Sequence, residues 1–296
     1  MNYSKGLLSA LSLLPETISQ KILSLPHNIL TSMCEIRLRC DRCPVIVRGN
    51  GLYLLQDTLT TKEQIESVIA KAFRNSIHNN MDKFRSGFVT YDNGCRVGFC
   101  GTSYGMNGTE TIRDISSVNI RIPREVKGCS QIIFERCFSK GLSSLILFGP
   151  PSSGKTTYLR DLARLCGNVC KVSLIDERGE LAASSSSRTG CDVGMFTDVF
   201  NGYPRHEAIV TAVRVMSPDM VICDETGTYE DIEALEYAVA SGVKMIISCH
   251  CSSVEELSSK KYLRPLLERG ALDYAAALHE RKVTDIIPLT CVPCSV

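Results

Sequence analysis

The chain has no surplus of charge of either sign: 33 Lys and Arg stand against 32 Asp and Glu, a formal net charge of +1 over 296 residues. That excludes the global basic field that draws a whole protein onto nucleic acid or acidic lipid, and leaves room only for a local patch. It also lacks any apolar run of the ~18–20 residues that cross a bilayer as a helix. The apolar opening from Gly6 to Leu14 follows a single lysine, Lys5, and runs into Pro15 and Glu16 without a small-residue cleavage site. It reads as an amphipathic helix, not a secretion signal. A cytoplasmic location is the expectation, with any membrane association made through partners. Internal repeats are missing, and low complexity is confined to Ser184–Ser187.

Cysteine, in contrast, is plentiful. The fifteen are odd in number and irregularly spaced, and Cys166, Cys223 and Cys249 sit inside apolar runs. In a reducing compartment these read as small buried hydrophobes. Two Cys-x-x-Cys pairs, Cys40/Cys43 and Cys291/Cys294, would share a zinc ion only if the two ends of the chain met. Reduced surface thiols in loops is the simpler reading. With 44% hydrophobic residues, the chain is long enough to bury a sizeable core.

Hydrophobic patterning changes character near residue 140. Before it, one or two short helices (1–25) precede a run of half-buried strands. Cys34–Arg39 alternates apolar and polar residues. Pro44–Arg48 and Leu52–Leu55 flank the turn Gly49-Asn50-Gly51, and Gly87–Asp92 and Cys95–Phe99 flank Asn93-Gly94. Thr60 and Glu63 form a candidate capping box, followed by a helix with Ile65, Val68, Ile69, Ala72 and Phe73 on one face. Another strand is expected over Ile115–Ile122. Residues 1–139 are therefore expected to form a smaller α+β domain. After it, continuous apolar runs alternate with helical stretches: Leu145–Phe148, Val172–Ile175, Met220–Cys223 and Val243–Ser248. Strands buried on both faces with crossover helices mean a parallel α/β sheet, expected over 140–296.

The first of those strands leads into Gly149-Pro150-Pro151-Ser152-Ser153-Gly154-Lys155-Thr156, which fits G-x-x-x-x-G-K-[ST] and opens a helix expected over Thr157–Cys166. The glycines let backbone wrap a phosphate closely, and successive N–H groups at a helix start supply positive potential. Gly149 through Thr157 are the expected nucleotide-binding residues. Lys155 should reach the β- and γ-phosphates, and Thr156 should ligate Mg²⁺. Asp224 and Glu225 close the strand Met220–Cys223, so Asp224 is the second candidate Mg²⁺ ligand and Glu225 a candidate for polarising the attacking water. That pairing suits an ATPase better than a kinase. Two more strand ends carry polar groups, Asp176-Glu177-Arg178 and His250, where ligands of open α/β sheets sit. His250 is a candidate for sensing or orienting the γ-phosphate. Glu177 competes with Glu225 for the water, and the sequence does not choose between them. Arg188, Arg205 and Arg214 are candidates for stabilising the transferring phosphate, with Arg214 favoured because its segment leads straight into the Asp224 strand.

These residues resemble the stage III sporulation protein AA family, a RecA-like branch related to the secretion ATPases of type II and type IV systems. The resemblance rests on ordered blocks: Glu35–Arg39, Gly87–Thr90, Gly94–Gly98, Ser116–Ile122, Gly149–Thr156, Ile175–Arg178, Arg214–Asp219, Asp224-Glu225, Asp231–Leu235 and His250. It implies a RecA-like P-loop NTPase core behind a smaller α+β domain. It also implies an ATP- and Mg²⁺-dependent motor of endospore formation, energising a channel complex between mother cell and forespore. It implies membrane-protein partners, no DNA or RNA, and self-assembly, since the secretion ATPases are hexameric rings with nucleotide between the N-terminal domain and the core. Asp176-Glu177 would match their acidic box, His250 their histidine box, and Arg121 and Arg124 would be nucleotide contacts. One departure stands out: Thr226 follows Asp224-Glu225 where relatives commonly carry an aliphatic residue. Two other readings compete with the motor. One is an ATPase acting on single-stranded nucleic acid, whose related branch carries a small binding module with an arginine and a histidine that has no counterpart before Val296. The other is a structural subunit that binds ATP without turnover, which the Asp224-Glu225 pair argues against.

Overall fold

The computed structural model describes residues 3–49, 51–74, 84–105, 111–123, 126–183 and 190–289. They fall in two compact units, 1–124 with 183–190, and 125–182 with 191–296.

In the first unit the apolar opening folds as a helix, Lys5–Leu13, whose Ser4 cap accepts the Leu7 N–H at 3.2 Å. Leu7, Ala10, Leu11 and Leu13 are buried, as amphipathic spacing requires. Helices Glu16–Leu23 and His27–Ser32 follow. The strands are β1 (Met33–Arg39), β2 (Val45–Arg48), β3 (Gly51–Leu54), β4 (Phe88–Thr90), β5 (Arg96–Tyr104) and β6 (Thr111–Arg121). Among the described residues they form an antiparallel sheet in the order β3-β2-β1-β6-β5-β4. One face carries Ile36, Leu38, Ile46, Val97 and Ile120, all fully buried. Helix Lys62–Ala72 covers that face with Ile65, Val68 and Ile69. Its cap is one residue later than the sequence suggests. Thr61 accepts from Gln64 N–H while Gln64 reaches back to Thr61 N–H. Thr60 is unavailable because its backbone is bonded to Asp41 and Arg42.

In the second unit the strands are β7 (Leu145–Gly149), β8 (Val172–Asp176), β9 (Thr197–Asn201), β10 (Met220–Cys223), β11 (Lys244–His250), β12 (Tyr274–His279) and β13 (Lys282–Pro288). Their order is β13-β12-β7-β11-β10-β8-β9, parallel throughout except for the antiparallel pair β12–β13. Helix Lys155–Cys166 packs Leu159, Leu162 and Cys166 on one face of the sheet, with Leu145, Leu147 and Leu174. Helices Arg205–Met216 and Tyr229–Ala240 pack Ile209, Ala212 and Leu235 on the other, with Ile146, Val221 and Ile247. Each of these large side chains contributes about 1.5–3 kcal/mol on burial.

The boundary between the units falls earlier than residue 139. Helix Gln131–Phe138 belongs to the second unit, with Ile133 and Cys137 in its core. Asp161, buried on the helix Lys155–Cys166, accepts the Gly128 N–H at 3.1 Å and the Ser130 N–H at 2.8 Å. Ser130 Oγ donates to the Tyr158 carbonyl at 2.7 Å. These bonds tie the start of Gln131–Phe138 to the helix that follows the glycine-rich loop. Among the described residues no helix is long and apolar enough to cross a membrane.

Candidate nucleotide site

The strand order decides which side chains meet. β11 lies between β7 and β10, and β8 lies beyond β10. The carboxyl ends therefore present, in sequence across the sheet, the glycine-rich loop after β7, His250 of β11, Asp224-Glu225 after β10, and Asp176-Glu177 at β8. Parallel register pairs His250 with Gly149 directly.

The loop needs its glycines. A Cβ on Gly149 would run into the Leu278 carbonyl of β12, and Gly154 has φ 99°, in the left-handed region. Helix Lys155–Cys166 starts immediately after Gly154, so its first N–H groups and the positive end of its dipole face the loop.

Lys155 is 5% exposed. Its ammonium donates to the Gly149 carbonyl at 2.9 Å, to the Pro150 carbonyl at 2.9 Å and to His250 Nδ1 at 3.1 Å. Burial lowers its pKa, against the opposing charge of Asp224. Because an ammonium can only donate, His250 Nδ1 must accept, which puts the ring proton on Nε2. That Nε2–H faces Glu225 Oε1 at 3.2 Å. Glu225 Oε2 pairs with Arg178 Nη1 at 2.5 Å. A continuous polar chain thus runs from Lys155 through His250 and Glu225 to Arg178.

Thr156 Oγ1 donates to Asp224 Oδ2 at 2.6 Å. Asp224 Oδ1 accepts from Ser248 Oγ. The Glu225 N–H points at Ser248 Oγ (2.9 Å) and Asp224 Oδ1 (3.0 Å). Glu225 adopts φ 53°, left-handed for a residue with a side chain, a conformation costing on the order of 1–2 kcal/mol. Thr226, the departure from the aliphatic pattern, is buried and donates its hydroxyl to the Ser248 carbonyl at 3.1 Å. Its extra polar atom is therefore satisfied.

The β8 end divides its roles. Asp176 is 2% exposed, and its carboxylate accepts the N–H groups of Glu180 (2.8 Å), Leu181 (3.0 Å) and Ala182 (2.8 Å). Both oxygens are spent on shaping the following loop. Glu177 is held by Arg205 Nη2 at 2.8 Å, and Arg205 Nη1 reaches Asp231 at 2.7 Å. Burial alone would depress the Arg205 guanidinium, but Asp231 and Glu177 outweigh it and hold its pKa above the ordinary value. A cleft lined by Asp176, Glu177, Arg178, Arg205, Asp224 and Glu225 opens here.

Arg214 is not brought to this site. It lies in the last turn of helix Arg205–Met216, which carries the chain back toward the start of β10, and its guanidinium sits 5.8 Å from the Tyr237 ring. Nine residues of helix separate it from Arg205, about 13 Å of rise. The crossover geometry of a parallel sheet thus puts Arg205, not Arg214, at the carboxyl edge. Arg121, in the first unit, is 61% exposed and lies 3.6 Å from Glu35. Arg124, Arg188, Cys291 and Cys294 lie outside the described residues. Four participants escaped the sequence reading: Ser248, Arg178 as the partner of Glu225, Asp231 as the partner of Arg205, and Leu278 packed on Gly149. Alternation along β11 is the one signal that links Ser248 to His250, two residues on and on the same face.

The residues fit a nucleotide with a hard divalent cation. Gly149 and Gly154 leave the loop backbone bare, Ser153 Oγ is buried with no hydrogen-bond partner, and the touching Thr156 hydroxyl and Asp224 carboxylate are an all-oxygen pair of the kind Mg²⁺ takes.

Fold and site together define a RecA-like P-loop NTPase core. Solved structures sharing the fold include the Legionella pneumophila ATPase DotB, with a TM-score of 0.60 at 14% identity, covering 93% of this chain and 81% of that one. The pilus retraction motor PilT, solved with bound ADP, gives a TM-score of 0.58 at 15% identity, covering 88% and 76%. Within that class, residues 10–287 match the family model for sporulation stage III, protein AA. The chain belongs to that family. Stage III sporulation protein AA of Bacillus subtilis is 32% identical over 277 residues, 91% of this chain and 90% of that protein.

Proposed function

We propose that the protein is an Mg²⁺-dependent ATPase that does mechanical work in endospore formation. The observation that carries this reading is the 2.6 Å contact between Thr156, the residue after Lys155, and Asp224, the residue before Glu225. Family membership and a fold shared with a pilus retraction motor support it.

In this reading the loop amides from Gly149 to Thr157 cradle the phosphates and Lys155 binds the β- and γ-phosphate oxygens. Thr156 and Asp224 hold Mg²⁺, which when bound supplies charge neutralisation on the phosphate oxygens. Glu225 orients the attacking water and takes its proton as the bond from the γ-phosphorus to the ADP oxygen breaks. His250, donating to Glu225, keeps that carboxylate aimed. Glu177 braces Arg205, which offers a guanidinium at the carboxyl edge. Glu225 is assigned the water because it is linked through His250 to the phosphate-binding lysine, whereas Glu177 is engaged by Arg205. The protein assembles with copies of itself, six in the ring form, and acts with membrane proteins of a sporulation channel complex without nucleic acid.

Phosphate release by the purified protein, with Mg²⁺ and with chelator, tests this. Lys155→Ala should abolish turnover, and Glu225→Gln should lower it at least ~10²-fold while Glu177→Gln lowers it less. Turnover in Lys155→Ala at the wild-type rate would overturn the mechanism. Light scattering with and without ATP tests assembly; a monomer under both conditions refutes the ring.

A further inference from the structure

β12 and β13 are joined by the two-residue turn Glu280-Arg281, closed by the pair His279–Lys282. Both turn residues are left-handed, with φ 47° and 63°. Such turns favour asparagine, aspartate and glycine, and neither residue here is one of them. The turn is also bound to the nucleotide loop. Arg281 N–H donates to the Ser153 carbonyl at 3.1 Å, and the Tyr158 hydroxyl donates to the Arg281 carbonyl at 3.2 Å. The Arg281 side chain starts out alongside the loop: a Cβ placed on Gly154 would meet its Cβ and Cγ at 3.7 Å each. Among the described residues the guanidinium has no ion-pair or hydrogen-bond partner.

The sheet order gives this position a direction. β7 has β11 on one side and β12 on the other. Lys155, His250, Asp224 and Glu225, the groups suited to the terminal phosphate and the cation, extend over the β11 side. A nucleotide anchored by its phosphates on the loop and pointing its terminal phosphate that way leaves its nucleoside over the β12 side. On that side the Glu280-Arg281 turn is bonded to the loop and to the helix that follows it. We propose that Arg281 is a nucleotide-binding residue whose planar guanidinium stacks on the purine ring, so that the β12–β13 hairpin forms the base-side wall of the site. This rests on the ATPase reading above. It adds a residue on the face away from the chemistry, one that affects binding and not the bond-breaking step. Guanidinium–ring stacking of this kind is worth about five- to tenfold in affinity.

Calorimetric titration of Arg281→Asn with ATP and ADP tests it, because asparagine tolerates the left-handed turn and keeps both backbone bonds to the loop. The expected result is a roughly five- to tenfold weaker Kd for both nucleotides. Inorganic tripolyphosphate, measured by displacement of ATP, should bind as it does to the wild type. Glu280→Asn, in the same turn, should bind ATP normally. Arg281→Asn binding ATP within twofold of wild type overturns the proposal. So does a parallel loss of tripolyphosphate binding, or an equal loss in Glu280→Asn. Absence of ATP binding by the wild type would instead bring down the ATPase reading itself.

Discussion

Replacing Arg205 by alanine isolates a buried charge. Asp231 is 2% exposed and its carboxylate has Arg205 Nη1 at 2.7 Å; among the described residues a long Gly227 N–H contact at 3.4 Å is the other bond to it. Arg205→Ala leaves that carboxylate in the interior without a counter-charge. Removing one partner of a buried pair typically costs 3–5 kcal/mol, because the survivor is desolvated and unpaired. For a unit of this size that is roughly 6–20 °C of melting temperature. Urea unfolding of single and double variants separates the pair from its surroundings. Asp231→Asn should restore part of the loss in Arg205→Ala, with a coupling of about 2 kcal/mol. A variant within ~1 kcal/mol of wild type, with no rescue by Asp231→Asn, would refute the reasoning.

Further outcomes follow from single contacts. Gly149→Ala forces a methyl group into the Leu278 carbonyl, so it should cost about 3 kcal/mol or more in thermal or urea unfolding and abolish nucleotide binding. Glu225→Gly should release left-handed strain and leave stability equal or up to ~1 kcal/mol higher, measured by unfolding, while removing turnover. Burial pushes the Cys95 and Cys223 thiols up to about 12. Alkylation of the native protein at pH 8, read by mass spectrometry, should spare both and mark the exposed Cys100, with the buried pair reacting only once the chain is unfolded.

The parts of the site that the sequence made legible are those whose chemistry is contiguous in the chain. The loop Gly149–Thr156 and the pair Asp224-Glu225 carry their context with them: an apolar strand before, a helix or turn after. The partners that complete the site come from elsewhere in the chain. Ser248 meets Asp224 because β11 inserts between β7 and β10, and no local pattern announces strand order. Asp231 meets Arg205 across two helices for the same reason. Arg214 was favoured because it precedes the Asp224 strand, yet proximity in sequence is what a crossover helix undoes. The strands β12 and β13 went unread because Tyr274–His279 is alanine-rich and the Glu280-Arg281 turn lacks glycine and asparagine. The sheet of the first unit was readable because its strands alternate and its hairpins carry Asn-Gly or Gly-rich turns.

An ammonium has three protons to give, and Lys155 gives all three: two to loop carbonyls and one to His250. A phosphate oxygen that takes one of those protons outright displaces its acceptor. The carbonyls belong to the loop that wraps the phosphate, so the exchangeable partner is the imidazole. In the proposed ATPase, nucleotide loading would then exchange one hydrogen-bond acceptor of Lys155 for another, and the acceptor given up is the histidine that donates to Glu225. On that reading, filling the phosphate cradle and changing the hold on the Glu225 carboxylate would be one event, although the two lie two strands apart in the sheet.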